Sequence, residues 1–243
     1  MGIIDTIWSR SIIGSRRVDK PELRLIITID GPAGAGKSTV AQRLASRLGY
    51  FHLDTGALYR AVAWKVRAAG VSPSDQQAVS RLLAVTRVTM RHDAGRVIVL
   101  VDRQDVTDEI RTSEISDMAS VVAAIPAVRE WLLPVQRQIG ARGGVVAEGR
   151  DLGTRVFPAA PAKFFLEADM DVRVARRHSE LAAAGHAVPM AQTRQDLDGR
   201  DARDRSRHLA PLVAAVDACV IDTTALTADQ VVERMMAVIV TKL

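Results

Sequence analysis

The sequence has one cysteine, few aromatic residues and no long apolar run. With Cys219 alone no intrachain disulfide can form, and its place in the apolar run ACVI indicates a small core residue. Aromatic residues are 4% of the 243 residues, so we expect an aliphatic core for one sizeable α/β domain. No stretch reaches the roughly 18 uncharged apolar residues that a membrane span needs, so no transmembrane helix is predicted.

Residues 1–23 do not share the pattern of the rest of the chain. Ile3, Ile7 and Trp8 fall near one face of a short helix, which predicts an N-terminal arm outside the core. The segment lacks the apolar run and small-residue cleavage site of a secretory signal. Its opening MGIIDT matches the myristoylation pattern only weakly, so membrane attachment stays a minor alternative.

The charge balance is basic, with a formal net charge of +5 and a pI of about 9.9. Such a balance permits nucleic-acid binding and suits small anionic substrates equally well. The positions of the arginines, rather than their number, must decide between these two classes of ligand.

The segment Leu25–Thr39, LIITIDGPAGAGKST, organises the rest of the chain. Five apolar or β-branched residues lead to Asp30, and a glycine-rich loop with the pattern G-x-x-x-x-G-K-[ST] then opens a helix. In such a loop the backbone N–H groups bind phosphates, the lysine (Lys37) reaches the β- and γ-phosphates, and the hydroxyl of Ser38 can hold Mg²⁺. The sequence therefore predicts a nucleoside-triphosphate site formed by Gly31, Pro32, Ala33, Gly34, Ala35, Gly36, Lys37, Ser38 and Thr39.

Strand and helix patterns alternate along the remaining chain. Five short apolar segments end at or near charged residues, and a hairpin pattern lies at about residues 87–106. We predict an α/β fold of the P-loop NTPase type: a parallel five-stranded sheet flanked by helices, with a small inserted antiparallel β subdomain and an arginine-rich lid. Charged residues at strand ends should line one crevice at the carboxyl edge of that sheet; they are Asp30, Asp54, Glu148, Arg150, Asp151 and Asp222.

The lid prediction comes from a highly charged stretch, QDLDGRDARDRSRH, at residues 195–208. Most of its charges fit a solvated helix with pairs such as Asp201 and Arg205. Arg200, Arg203 and Arg207 nevertheless share one helical face, which is typical of a mobile cover that binds phosphates.

Four segments together resemble one known family. They are GPAGAGKST, LDTGALYR, EGRDLGTRVFPAAPAKFFL and RDARDRSRHLAPL, and they resemble bacterial cytidylate kinases of the nucleoside monophosphate kinase group. The resemblance covers about residues 26–238. It implies a kinase domain at 24–243, with a CMP-binding insertion at about 55–140 and a lid at about 185–210.

The resemblance also implies roles for individual residues. It makes Lys37 catalytic together with the acceptor-phosphate arginines Arg60, Arg150 and Arg200. It assigns base recognition to Thr55, Ser120, Arg129, Asp151 and Arg207, and ribose binding to Asp204. Some relatives have Ser at the position of Thr55 and Asp at that of Glu148, which leaves open whether Glu148 helps to hold Mg²⁺.

The activity implied is transfer of the ATP γ-phosphoryl group to CMP and dCMP, with Mg²⁺ as cofactor, in the supply of pyrimidine nucleotides. We expect a cytoplasmic monomer that binds neither nucleic acid nor membrane. Two alternatives remain: a kinase acting on UMP, dTMP, shikimate or dephospho-coenzyme A, and a P-loop nucleic-acid-binding protein. The second lacks a basic and aromatic stacking platform in the sequence.

Overall fold

The computed structural model of the chain describes residues 24–93 and 96–242. The predicted N-terminal arm and the Ala94-Gly95 turn of the predicted hairpin lie outside these residues. Within the described part of the chain, no single helix combines the length and apolar character needed to cross a membrane. The described residues group into two compact units, a larger one of residues 24–56 and 123–242 and a smaller one within residues 57–122.

Strands and helices alternate along most of the chain, as predicted. The strands are Ile26–Asp30 (β1), Phe51–Asp54 (β2), Val88–Asp93 (β3), Arg96–Val101 (β4), Gln104–Asp105 (β5), Val145–Glu148 (β6), Ala162–Glu167 (β7) and Cys219–Asp222 (β8). The α-helices are Lys37–Leu48 (α1), Thr55–Ala68 (α2), Gln76–Ala84 (α3), Ser113–Val122 (α4), Pro126–Gly140 (α5), Met170–Ala183 (α6), Met190–Ser206 (α7) and Ala228–Val240 (α8). A short 3₁₀ helix, Glu109–Arg111, and a π-helical turn, Leu152–Val156, complete the set found in the described residues.

The larger unit contains a parallel sheet of five strands in the order β2-β6-β1-β7-β8. β1 lies in the middle, with Ile29 opposite Glu148 on one side and Phe164 on the other. Because the strands are parallel, their carboxyl ends meet at one edge, where β1, β2, β6 and β8 end in Asp30, Asp54, Glu148 and Asp222. The predicted five-stranded parallel sheet is therefore confirmed.

The core of this unit is aliphatic, as the composition predicts. Ile27 and Ile29 of β1 are fully buried, and α1 covers the sheet with Val40 and Leu44. The apolar positions of α1 recur at a helical spacing, and the helix ends at Gly49, which has a left-handed conformation. This packing fixes the orientation of α1 relative to the sheet, and with it the position of the first residues of the helix.

The smaller unit contains a three-stranded antiparallel sheet in the order β3-β4-β5. β3 pairs with β4 from Val88 opposite Val101 to Asp93 opposite Arg96, which confirms the inserted β subdomain. Asp75 accepts a hydrogen bond from the backbone N–H of Ala78 and caps α3. Helix α5, within the predicted insertion of about 55–140, groups with the larger unit. The predicted domain boundaries stay a prediction.

Candidate functional site

The loop of residues 31–36 joins β1 to α1 and requires glycine at several positions. Gly31 has φ +144°, and a Cβ there would lie 2.2 Å from the carbonyl oxygen of Leu166. Gly36 precedes the helix with φ +87°, a left-handed conformation that L-residues rarely adopt. The loop therefore brings its backbone to the N-terminus of α1, where unpaired N–H groups and the helix dipole favour an anion.

Lys37 is buried among charged groups at the start of α1. Its Nζ donates a hydrogen bond of 2.5 Å to the carbonyl oxygen of Pro32, and the residue is 6% exposed. Burial holds the pKa of Lys37 well below its ordinary value; the positive charges of Arg150 and Arg200 lower it further, and Glu148 and Asp204 oppose them. Positive groups from three segments thus converge beside the phosphate loop.

Glu148, at the end of β6, connects two neighbouring residues through its two oxygens. Its Oε2 accepts a hydrogen bond of 2.7 Å from the hydroxyl of Ser38, and its Oε1 lies 2.9 Å from Nε2 of His52. Burial lowers the pKa of His52, but the hydrogen bond and charge of Glu148 outweigh it, so the pKa lies above its ordinary value. A hydroxyl and a carboxylate side by side at a phosphate loop are ligands that suit Mg²⁺.

Asp204 of α7 binds two of the predicted arginines. Its Oδ2 accepts a hydrogen bond of 3.0 Å from Nε of Arg150, and its Oδ1 accepts one from Arg207. Burial raises the pKa of Asp204, but Arg150, Arg207 and Arg200 together bring it below its ordinary value. These three arginines and Asp204 therefore form one charged group with Lys37. Arg207 lies just beyond the end of α7 and Arg203 is exposed, so the predicted helical face of Arg200, Arg203 and Arg207 is not a single face.

Arg129 and Asp151 form a buried ion pair beside this group. Nη2 of Arg129 donates to Oδ2 of Asp151, and the two side chains are 3% and 7% exposed. Thr55 is also buried, and its hydroxyl donates a hydrogen bond of 2.7 Å to the carbonyl oxygen of Glu148. Since that proton is committed to the carbonyl, the Thr55 oxygen can only accept a hydrogen bond from another group.

Arg60 and Ser120 are the two predicted residues in the smaller unit. Arg60 lies half-buried on α2, and Ser120 lies buried on α4. Their roles stay predictions based on the resemblance.

A pocket of about 640 Å³ lies behind the phosphate loop in the larger unit. Val40 and Leu226 supply apolar surface to its lining, and Arg176 and Thr223 supply polar groups. The guanidinium of Arg176 is held by the hydroxyl and carbonyl oxygens of Thr223. The pocket is large enough for a purine ring and borders the start of α1, where Gly36 and Thr39 line it.

Sequence reasoning missed three contacts around the site. His52 approaches Glu148; Asp30 accepts hydrogen bonds from two backbone N–H groups; and Arg173 joins the phosphate loop to α7. Nη1 of Arg173 donates to the carbonyl oxygen of Ala33 over 3.1 Å and to Oδ2 of Asp201 over 2.6 Å. Asp201 is thus paired with Arg173, whereas the sequence pattern had favoured Arg205.

Comparison with known proteins gives a consistent result. The family model described as cytidylate kinase matches residues 27–241. The chain is 48% identical over 216 residues to the cytidylate kinase of Syntrophotalea carbinolica, covering 89% of this chain and 92% of that protein. It is 49% identical over 212 residues to the cytidylate kinase of Pelotomaculum thermopropionicum, covering 87% and 94%. A solved structure of an uncharacterized protein from Eubacterium ventriosum shares the fold, with a TM-score of 0.52, 13% identity and coverage of 90% and 99%.

Proposed function

Because the chain belongs to the cytidylate kinase family, we propose that it transfers the γ-phosphoryl group of ATP to CMP and dCMP, forming CDP and dCDP. The observation that carries the proposal is the convergence of Lys37, Arg150 and Arg200 next to the phosphate loop. Burial and the positive charges of Arg150 and Arg200 lower the pKa of Lys37, with Glu148 and Asp204 opposing them, and such a concentration of positive groups favours a polyanionic ligand.

The donor side consists of the phosphate loop and the pocket behind it. The loop N–H groups and α1 bind the phosphates, and the pocket beside Val40, Arg176 and Leu226 receives the adenine ring. Lys37 leaves the carbonyl oxygen of Pro32 and moves to the β- and γ-phosphates when ATP binds. This exchange replaces a hydrogen bond to a neutral carbonyl oxygen by hydrogen bonds to negatively charged phosphate oxygens, which are stronger.

The residues next to the loop fit Mg²⁺. The Ser38 hydroxyl and the Glu148 carboxylate are hard oxygen ligands, their oxygens lie 2.7 Å from each other, and Ser38 is exposed. Ser38 and Glu148 are the residues that would hold the ion. Bound there, Mg²⁺ supplies positive charge that offsets the charge of the ATP phosphates.

The acceptor side is built on Arg150 and Arg200, joined by the predicted Arg60. Their guanidinium groups hold the 5′-phosphate of CMP, and its anionic oxygen attacks the γ-phosphorus in line with the leaving oxygen. No protein nucleophile is needed, because that oxygen is already charged. Lys37 and the arginines act by positioning the two phosphates and by stabilising charge on the transferred group.

Selection of cytosine follows from the hydrogen-bond acceptors around Thr55 and Asp151. Cytosine presents an exocyclic amine where uracil presents a carbonyl. The Thr55 oxygen can only accept, and the Asp151 carboxylate accepts as well, so both favour the amine and oppose the carbonyl. Arg129 donates to the acceptor atoms of the ring, with Ser120 and Arg207 completing the predicted base site, and Asp204 binds the ribose.

The lid, predicted at about 185–210, closes over both nucleotides and excludes water, a competing acceptor of the phosphoryl group. We assign the enzyme to the cytoplasm as a monomer that supplies pyrimidine nucleotides, with ATP and CMP or dCMP as its partners. Neither nucleic acid nor membrane binding is part of this role.

The test is phosphorylation by ATP and Mg²⁺ of a panel of acceptors: CMP, dCMP, UMP, dTMP, AMP, GMP, shikimate and dephospho-coenzyme A. We expect CDP and dCDP as the main products, with UMP a much poorer acceptor. The Lys37→Ala variant serves as the control for contaminating kinases. Preferred phosphorylation of another acceptor, or ATP binding without CDP or dCDP formation, would contradict the proposal.

A further inference from the structure

Asp30, the last residue of β1, immediately precedes the phosphate loop, and its carboxylate binds the backbone of a distant segment. The residue is 4% exposed. Its Oδ1 accepts a hydrogen bond of 2.9 Å from the N–H of Leu152, and its Oδ2 accepts one of 2.8 Å from the N–H of Gly153. Each carboxylate oxygen thus accepts a hydrogen bond from one backbone N–H group. The two donors, Leu152 and Gly153, lie 122 and 123 residues after Asp30 in the chain.

Those two N–H groups open the π-helical turn Leu152–Val156. The first N–H groups of a helical turn have no partner within it, and the side chain of the preceding residue usually accepts from them when that residue is aspartate. Here the preceding residue is Asp151, and its side chain makes no such hydrogen bond. Its carboxylate binds Arg129 instead.

We propose that Asp30 caps this turn in place of Asp151 and so keeps the Asp151 carboxylate paired with Arg129 and available to the base of the acceptor nucleotide. Asp30 is then a positioning residue for acceptor selectivity. This inference rests on the proposed function, because it deepens the assignment of Asp151 and Arg129 to base recognition.

Both oxygens of Asp30 are needed for this role. Two N–H groups require two acceptors, and a carboxylate provides one on each oxygen. An amide of the same shape has one acceptor oxygen and one NH₂ group, so it would place a donor against an N–H. Asp151, with its own carboxylate next to the turn, is the nearest replacement for the lost acceptor. The charged groups that influence Asp30 are Asp151 and Lys37.

The first test is a double-mutant cycle on acceptor selectivity. Asp30→Asn should lower the ratio of kcat/KM for CMP to that for UMP at least tenfold, while the Kd for ATP changes less than threefold. Asp151→Asn should lower the same ratio. The double variant, which carries both substitutions, should have a CMP-to-UMP ratio no lower than that of Asp151→Asn alone. Asp75→Asn, which alters an ordinary helix cap on α3, is the matched control and should leave the ratio unchanged.

Additive effects in the cycle, an unchanged ratio in Asp30→Asn, or a loss of ATP affinity as large as the loss of selectivity would overturn the inference. The second test does not depend on turnover. A crystal structure of Asp30→Asn should show the Asp151 carboxylate turned to the N–H groups of the 152–156 turn and away from Arg129. An unchanged Arg129–Asp151 pair in that structure would refute the role of Asp30.

If Asp30→Asn does not fold, Asp30→Ser retains one acceptor and replaces it in both tests. If the wild type makes no CDP but the structure of the variant shows Asp151 displaced, the proposed function fails while the capping role stands.

Discussion

Arg150 and Asp204 are joined by a hydrogen bond of 3.0 Å between Nε and Oδ2, although 54 residues separate them. The bond connects the segment after β6 to α7, which lies in the predicted lid. The Asp204 side chain is 2% exposed, and the same carboxylate also binds Arg207. Arg150 and Arg207 are therefore held by the same aspartate, and removing it takes a negative charge away from both.

Asp204→Asn should lower the free energy of unfolding by about 3 kcal/mol at pH 7, because it removes one partner from buried ion pairs. The pKa of Asp204 lies below its ordinary value of 3.8 in the folded protein. Its stabilisation is therefore present above pH 3.8 and lost as the pH falls through the folded pKa. Urea unfolding from pH 7 to pH 3 should show the difference from wild type shrinking only at the acid end. Asp229→Asn, at an exposed pair with Arg43, should change stability little, and a similar effect in both variants would contradict the prediction.

Lys37→Ala should lower kcat for CMP at least about 100-fold, because it removes a cation from the transferred phosphoryl group. The fold should survive, since burial already disfavours the charged form of this side chain. Steady-state kinetics and thermal unfolding without nucleotide provide the two measurements. Lys65→Ala, which breaks a pair with Asp102 in the smaller unit, is the control for loss of a lysine. Retention of wild-type kcat in Lys37→Ala would refute its catalytic role.

Thr55→Val should lower the CMP-to-UMP ratio of kcat/KM about tenfold, the value expected for one hydrogen bond. The substitution keeps the shape of the side chain but removes the oxygen that we propose accepts a hydrogen bond from cytosine. It also leaves the Glu148 carbonyl without its donor, at a cost of about 1 kcal/mol in stability. Thr55→Ser retains the hydroxyl and should retain selectivity. Equal ratios for the valine and serine variants would argue against base recognition by Thr55.

His52→Leu should raise the Mg²⁺ concentration needed for half-maximal rate about tenfold, because residues that orient a ligating carboxylate affect metal affinity by this order. Without His52, the Glu148 side chain keeps its hydrogen bond from Ser38 at Oε2 and loses the contact at Oε1. His52→Gln keeps a side-chain donor and should restore part of the affinity. Calorimetry of ATP binding with and without Mg²⁺ separates a metal effect from a structural defect. In the absence of Mg²⁺, ATP should bind the His52→Leu variant as well as it binds the wild type. Weaker ATP binding in both titrations would indicate a general structural defect.

Asp30→Asn should change how stability depends on pH. Burial raises the pKa of Asp30 to about 6 from an ordinary value of 3.8, so the wild type loses stability as the pH rises through 6, and the asparagine variant lacks this loss. Between pH 5 and 7.5 the free energy of unfolding of the wild type should fall by about 1 kcal/mol relative to the variant. Urea unfolding at both pH values measures it. Parallel pH profiles would show that Asp30 titrates normally.

The sequence was sufficient for the features that depend on neighbouring residues. The phosphate loop combines a strand, its glycines and a helix start within 15 residues, so a local pattern predicted all of it. The alternation of strands and helices predicted the parallel sheet, because a buried parallel strand reads as a short apolar run. Thr227 and Gln230 likewise mark the beginning of α8 by a capping box that can be read from neighbouring residues.

Contacts between distant segments could not be predicted in the same way. His52 reaches Glu148 across 96 residues, and Arg173 selects Asp201 although Arg205 lies four residues from it on the same helix. Which partner a charged side chain takes depends on how α6 and α7 pack, and that packing leaves no periodic signal in the sequence. The assignments to Arg60 and Ser120 rest on resemblance and stay predictions.

The two amide groups held by Asp30 have a consequence for how substrate preference can evolve or be engineered. The N–H groups of Leu152 and Gly153 are anchored from β1, so the side chain at position 151 can be exchanged while the turn that follows it keeps its cap. A variant library confined to that position, with Arg150 and its bond to Asp204 retained, should therefore keep its scaffold and explore new acceptors. A library that also alters position 30 should mostly lose selectivity of any kind.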